Sequence, residues 1–153
     1  MSIVVAASLL AACSTAPPVG GRPVAAARSA PAPSLGDRAA YVALQQIGVP
    51  YRYGGENPSG FDCSGLVQYA YLRAGKAVPR TTSQLWHYTE TVDRANMRAG
   101  DLLFFEVDGK MQHVGMYVGE GRFVHAPSSG KTVSLASLSS DFYAQAFLRA
   151  GRP

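Results

Sequence analysis

A chain of 153 residues, 47% of them apolar, can bury one core of its own. That excludes global disorder and leaves no length for a second full domain beside it. The formal charge of +4 is spread without a basic block, so no nucleic-acid-binding stripe is present and no nucleic-acid partner is expected; an anionic wall polymer or membrane surface suits that balance.

The sequence opens MSIVVAASLLAAC. The apolar run from Ile3 to Ala12 is too short to span a bilayer, which takes about 20 residues, and has the length of an export signal's h-region. Leu10-Ala11-Ala12-Cys13 resembles the lipobox of bacterial lipoproteins, although no Lys or Arg precedes the apolar run. The reading is a signal peptide over 1–12, then the lipidated cysteine Cys13 and a flexible Ala/Pro/Gly/Ser-rich tether over 13–34. The plain alternative is a fortuitous Ala/Leu-rich tail. With Cys13 acylated, Cys63 is the only thiol left, and an unpaired cysteine in an exported chain points to reactivity.

Ser34 and Asp37 have capping-box spacing and predict a helix through Gln46, with Ala40, Leu44 and Ile47 on one face. Gly54-Gly55, Pro58 and Gly60 then mark an irregular loop. Asp62 is an N-cap, apolar residues recur at helical spacing from Cys63 (Leu66, Val67, Ala70, Tyr71, Ala74), and Gly75 stops the helix. Cys63 thus falls in a first helical turn, where free N–H groups and the dipole favour a thiolate. A buried structural cysteine is the competing reading. Thr81 or Thr82 caps a short helix carrying Leu85 and Trp86, with His87 a surface residue. Strands follow at Asp101–Val107, MQHVGMYVG, RFVHA, KTVSLAS and FYAQAFLRA, the first hairpin turning on Asp108-Gly109. Helices first and an antiparallel meander after predict an α+β fold, helices on one face of the sheet.

A cysteine nucleophile needs a base, and the base needs an orienting partner. With a three-residue turn centred on Glu120, Gly115 faces His125 and His113 faces Pro127. The two histidines are then diagonal neighbours on one face, about 7–8 Å apart by backbone. A two-residue turn puts them on opposite faces. Gly115 leaves room for a helix end, and Val114, Met116, Val118 and Val124 form ordinary core on the other face. The set reads as Cys63 nucleophile, His113 base and His125 orienter, with the Tyr51 hydroxyl and the Cys63 N–H as oxyanion donors. The same three residues are also a possible zinc set, though without a close-spaced ligand pair or a fourth ligand.

GGENPSGFDCSGLVQYAY, VPRTTSQLW, RAGDLLFF, QHVGMYVG and FVHAP resemble, in order, the blocks of the NlpC family of papain-like cell-wall cysteine peptidases. The resemblance runs from about Asp37 to the end and implies a papain-like domain over 35–153, N-terminal helices packed on a central antiparallel sheet. By it Cys63 matches the nucleophile, His113 the base, His125 the variable third polar residue and Tyr51 the oxyanion tyrosine. Arg80, Ser83 and Gln84 match a block bordering the substrate groove. Asp62 matches the aspartate before the nucleophile, read here as a cap whose charge opposes the thiolate. The resemblance implies hydrolysis of peptide bonds in peptidoglycan stems or crosslinks, without metal or cofactor, by a monomer. It also fits an exported periplasmic lipoprotein held at the outer membrane through Cys13. A thiol acyltransferase or lipid-directed amidase, and a silent wall-binding module, are the rival functions.

Overall fold

The computed structural model describes residues 31–153. The apolar leader, Cys13 and most of the tether lie outside the described residues. Helix α1 (Leu35–Leu44) starts in the capping box expected: the Asp37 N–H donates to Ser34 Oγ at 3.1 Å and the Ser34 N–H to Asp37 Oδ2 at 2.9 Å. The buried face is Ala39, Ala40 and Ala43, while Ile47 is 47% exposed. The helix ends at Leu44, so the turn that follows breaks the phase that would have brought Ile47 inward.

Within the glycine-rich loop, expected to be irregular, two short strands pair as a hairpin, β1 (Glu56–Asn57) with β2 (Gly60–Phe61). Helix α2 (Cys63–Ala74) runs between the expected limits: Asp62 Oδ1 accepts from the Gly65 N–H at 2.7 Å, and Gly75 takes φ 102°, a left-handed stop that glycine adopts freely. Helix α3 (Thr82–Tyr88) is capped by Thr81 through a second box closed by Gln84.

Six strands form one antiparallel sheet in the order β3-β8-β4-β5-β6-β7: β3 (Glu90–Val92), β4 (Leu102–Val107), β5 (Lys110–Gly119), β6 (Arg122–His125), β7 (Ser134–Ser137) and β8 (Phe147–Arg152). The β4–β5 hairpin turns on Asp108 and Gly109, both at positive φ (51° and 69°), as the Asp-Gly signal requires. FYAQAFLRA is not one strand. Its first half is a short helix, α4 (Asp141–Ala146), and only the second enters β8.

Alternation along the strands divides two cores. Leu102, Phe104, Val114, Met116 and Val124 face α1 and α2, where Ala39, Ala43, Leu66, Val67 and Ala70 meet them. Leu103, Phe105, Phe123 and Ala150 point the other way and are covered by Tyr143, Ala146 and Phe147. Helices therefore flank both faces, α1 and α2 on one and the short α4 on the other, rather than one. Phe104, Phe105 and Phe123 are fully buried, each a gain of about 1.5–3 kcal/mol over an exposed ring. Among the described residues no helix is long and apolar enough to cross a membrane.

Candidate active site

The β5–β6 connection decides where the two strand histidines go. Its turn has two residues, Glu120 and Gly121, both at positive φ (53° and 68°), between paired Gly119 and Arg122. Alone, such a turn would put His113 and His125 on opposite faces. A register shift between Tyr117 and Gly119 inserts one residue and restores the pairs Tyr117↔Phe123 and Met116↔Val124. The expected register thus arises from a two-residue turn plus a bulge, which shifts a strand by the one residue needed. His113 Nε2 and His125 Nδ1 consequently lie 2.8 Å apart, their rings edge-on with centroids 5.1 Å apart.

Both rings lie on the face carrying Phe105 and Phe123, with His113 6.0 Å from the Phe105 ring and His125 5.0 Å from the Phe123 ring. Gly115 makes room not for a helix end but for Phe123: a Cβ there would fall 2.5 Å from Cδ2 of that ring. Helix α2 packs on the opposite face, and Cys63 at its first turn reaches the sheet through β5 backbone. Its Sγ lies 3.8 Å from the Gln112 carbonyl oxygen and 3.7 Å from Thr82 Oγ1. The sulfur therefore rests against the strand backbone one residue before His113. Cys63, His113 and Tyr51 nonetheless line a single cavity of about 840 Å³, with Tyr53, Arg80, Thr82, Ser83, Lys131 and Tyr143 also in its wall.

Burial sets the protonation states. It pushes the Cys63 thiol up, with the Asp62 charge adding to the rise, while the Thr82 hydroxyl and the N–H groups of Val114 and Ser64 pull the other way. The thiolate favoured by helix position alone is thus not the resting form, because desolvation outweighs the helix terminus. The same burial lowers His113 to about 4 and His125 to about 3, the latter helped by His113 and Lys131. At neutral pH the site holds a thiol and two neutral imidazoles. Burial likewise raises the Tyr51 phenol, which stays protonated and able to donate.

Asp62 caps α2 and is also clamped by Arg80, whose Nη1 and Nη2 donate to its two carboxylate oxygens at 2.9 and 2.7 Å. Arg80 further reaches Ser64 Oγ at 3.0 Å and Glu56 Oε2 at 3.2 Å. Ser83 lines the cavity. Gln84 is engaged in capping α3, its Oε1 accepting from the Thr81 N–H and hydroxyl at 3.2 and 3.0 Å, and lies outside the cavity wall. His87 is exposed, as expected. Among the described residues no three His, Cys, Asp or Glu side chains gather as a metal ion would need; His113 and His125 spend their facing nitrogens on each other. Two contacts carry no local sequence signal: Thr82, a cap candidate in the sequence, also lies beside the sulfur, and Tyr143, in a stretch expected as strand, lies 3.4 Å from His125 Nε2.

A model of the NlpC/P60 family matches residues 48–152. The murein DD-endopeptidase MepH of Escherichia coli is 43% identical over 115 residues, 71% of this chain and 42% of that protein. The gamma-DL-glutamyl hydrolase of Bacillus subtilis is 45% identical over 105 residues, 66% of this chain and 25% of that one. The chain therefore spans less than half the length of either relative. Among solved structures, an NlpC/P60 family protein of Bacillus cereus has a TM-score of 0.73 at 31% identity, covering 79% of this chain and 40% of the other. The NlpC/p60 domain of the peptidoglycan hydrolase SagA has a TM-score of 0.67 at 34% identity, covering 77% of this chain and 98% of that domain.

Proposed function

Because the chain belongs to the NlpC/P60 family, we propose that it is a peptidoglycan endopeptidase of the cysteine type, cutting a peptide bond in a stem or crosslink. The observation that carries this reading is the common cavity of Cys63 and His113, with the second histidine 2.8 Å behind the first. Relatives named as murein endopeptidase and glutamyl hydrolase support the substrate class.

The resting thiol and neutral imidazole call for proton transfer coupled to attack. As Cys63 Sγ bonds to the scissile carbonyl carbon, its proton passes to the free nitrogen of His113, and the carbonyl π electrons move to oxygen. The Tyr51 hydroxyl donates to that oxyanion. Collapse expels the stem amine, which takes the proton back from His113 and leaves a thioester. Water, giving its proton to the same nitrogen, then releases the carboxylate and the thiol. His125 holds the His113 ring throughout. Arg80 acts mainly by fixing Asp62, and Ser83 borders the substrate. In the whole protein, residues 1–12 direct export, Cys13 carries lipid, the segment to residue 34 tethers, and residues 35–153 act on the wall from the outer membrane, on the periplasmic side.

Digestion of whole sacculi by the purified protein, read by mass spectrometry, tests the reading. New amine ends within stem peptides, absent with Cys63→Ala, are the expected result. Release of no new amine end, or transfer of an acyl group to an added acceptor in its place, would remove it.

A further inference from the structure

His125 turns its second ring nitrogen toward a phenol that the Cys-His-His reading leaves idle. Tyr143 Oη lies 3.4 Å from His125 Nε2, and the two rings meet edge-on, centroids 5.4 Å apart at 88°. The placement is built. Tyr143 also packs edge-on against Phe105 and Phe123, at 5.2 and 4.9 Å, and those two rings line the face that holds both histidines. The phenol borders the cavity, and burial raises it, so it remains an O–H.

Between His113 Nε2 and His125 Nδ1 there is room for one proton, and its ownership decides whether His113 can act as base. If His125 holds it on Nδ1, His113 must carry its own proton on Nδ1, leaving the sulfur no nitrogen lone pair. If His113 holds it on Nε2, its Nδ1 is bare and His125 is protonated on Nε2. Only the second arrangement survives the chemistry. Once His113 becomes imidazolium its Nε2–H must donate to His125 Nδ1, so His125 needs its own proton on Nε2 and an acceptor there. That ring is 3% exposed, and a buried N–H without an acceptor is costly. Tyr143 Oη is the one acceptor within hydrogen-bonding distance of Nε2 among the described residues, and its own proton can face the cavity. The charged and titratable neighbours are His113, Lys131 and Tyr143 itself; no carboxylate of the described residues bonds to either ring.

We propose that Tyr143 is a positioning residue whose phenolic oxygen accepts the Nε2–H of His125 and so holds His113 in the tautomer with Nδ1 bare for the Cys63 proton. The inference rests on the reading of His113 as base.

The test is Tyr143→Phe, which keeps the ring packing and removes the oxygen. Nitrogen-15 spectra of the imidazoles in the wild-type protein should show both histidines protonated at Nε2. In the variant His125 should shift toward the Nδ1–H form. With stem-peptide substrate, kcat should fall about tenfold and KM change less than about twofold, the scale of one buried hydrogen bond felt in the reaction step. Wild-type spectra with the His113 proton on Nδ1 would overturn the proposal, as would a folded variant with unchanged shifts and kcat. Should Tyr143→Phe not fold, the wild-type tautomers alone decide. If no peptide is cleaved by either protein, the function reading fails, and the spectra still judge the tautomer.

Discussion

Arg80 closes both carboxylate oxygens of Asp62 in a fork, at 2.9 and 2.7 Å, on the residue directly before the candidate nucleophile. The cap of α2 is therefore anionic but compensated. The side chains are largely shielded, 27% and 13% exposed, so the pair is worth more than a surface bridge. Its two halves make opposite predictions. Arg80→Met leaves the Asp62 charge facing Cys63 alone, and alkylation of the thiol by iodoacetamide at pH 8 should slow; stability should fall by about 1–3 kcal/mol. Asp62→Asn keeps a good cap but removes the charge, and alkylation should quicken. Changes of the same sign in both variants would show that the pair acts on folding and not on the sulfur.

The free thiol should titrate high. Burial and Asp62 together outweigh the Thr82 hydroxyl and the two N–H groups near the sulfur, so alkylation rate against pH should have its midpoint above the ordinary cysteine value of about 8.5. Thr82→Val removes the hydroxyl 3.7 Å from Sγ and should move the midpoint higher still. A midpoint below neutrality would instead restore the thiolate expected from the helix terminus.

Acid should loosen the fold through the two buried imidazoles. His113 and His125 sit at about 4 and about 3 when folded, against about 6.5 unfolded. Between those limits the unfolded chain binds protons that the folded chain refuses, so stability is full above pH 6.5 and is lost as pH falls. At about 1.4 kcal/mol per proton per pH unit, the two rings together should cost about 2–4 kcal/mol between pH 7 and pH 5. Urea unfolding at the two values measures this, and His125→Asn should roughly halve the loss. Equal stability at both would mean that the folded rings take up protons as readily as the unfolded ones.

What could be read from the sequence, and what could not, follows the range of each interaction. Asp62 and Gly75 delimit α2 because caps and stops are chosen within one turn of the chain, and Asp108-Gly109 fixes its hairpin for the same local reason. The meeting of His113 with His125 was foreseen, but through a three-residue turn. The actual device is a two-residue turn with a bulge between Tyr117 and Gly119; Gly119, at φ 103°, is a residue type that bulges use, but in the sequence it reads equally as part of the turn. The strand read through FYAQAFLRA fails before Phe147 because the six residues of α4 are too few to show a period. Arg80 reaches Asp62 across 18 positions, and Tyr143 meets His125 across another 18, so neither contact leaves a local pattern. The raised thiol belongs to the same class, since burial is a property of the finished packing and position in a helix is not.

Gly65 joins α2 to the loop before it, and its replacement sets two effects against each other. On helix propensity alone Gly65→Ala gains about 1 kcal/mol. A Cβ at that position, however, would fall 2.1 Å from the Gly55 carbonyl oxygen and 3.1 Å from Asp62 Oδ1. The carbonyl cannot simply retreat. It accepts the Asp62 N–H at 3.0 Å and Arg80 Nη2 at 3.4 Å, so moving it pulls on the cap and on the Arg80 clamp together. Overpacking of this kind costs about 1–3 kcal/mol or more, which should win. The variant should melt lower than wild type, and peptide cleavage should fall further than the unfolded fraction explains, because the displaced loop carries Tyr51 and Tyr53 into the cavity wall. Thermal unfolding and cleavage measured on the same preparation separate the two contributions. A higher melting temperature would mean that the loop yields freely and that the contact between Gly65 and Gly55 does not hold the site in place.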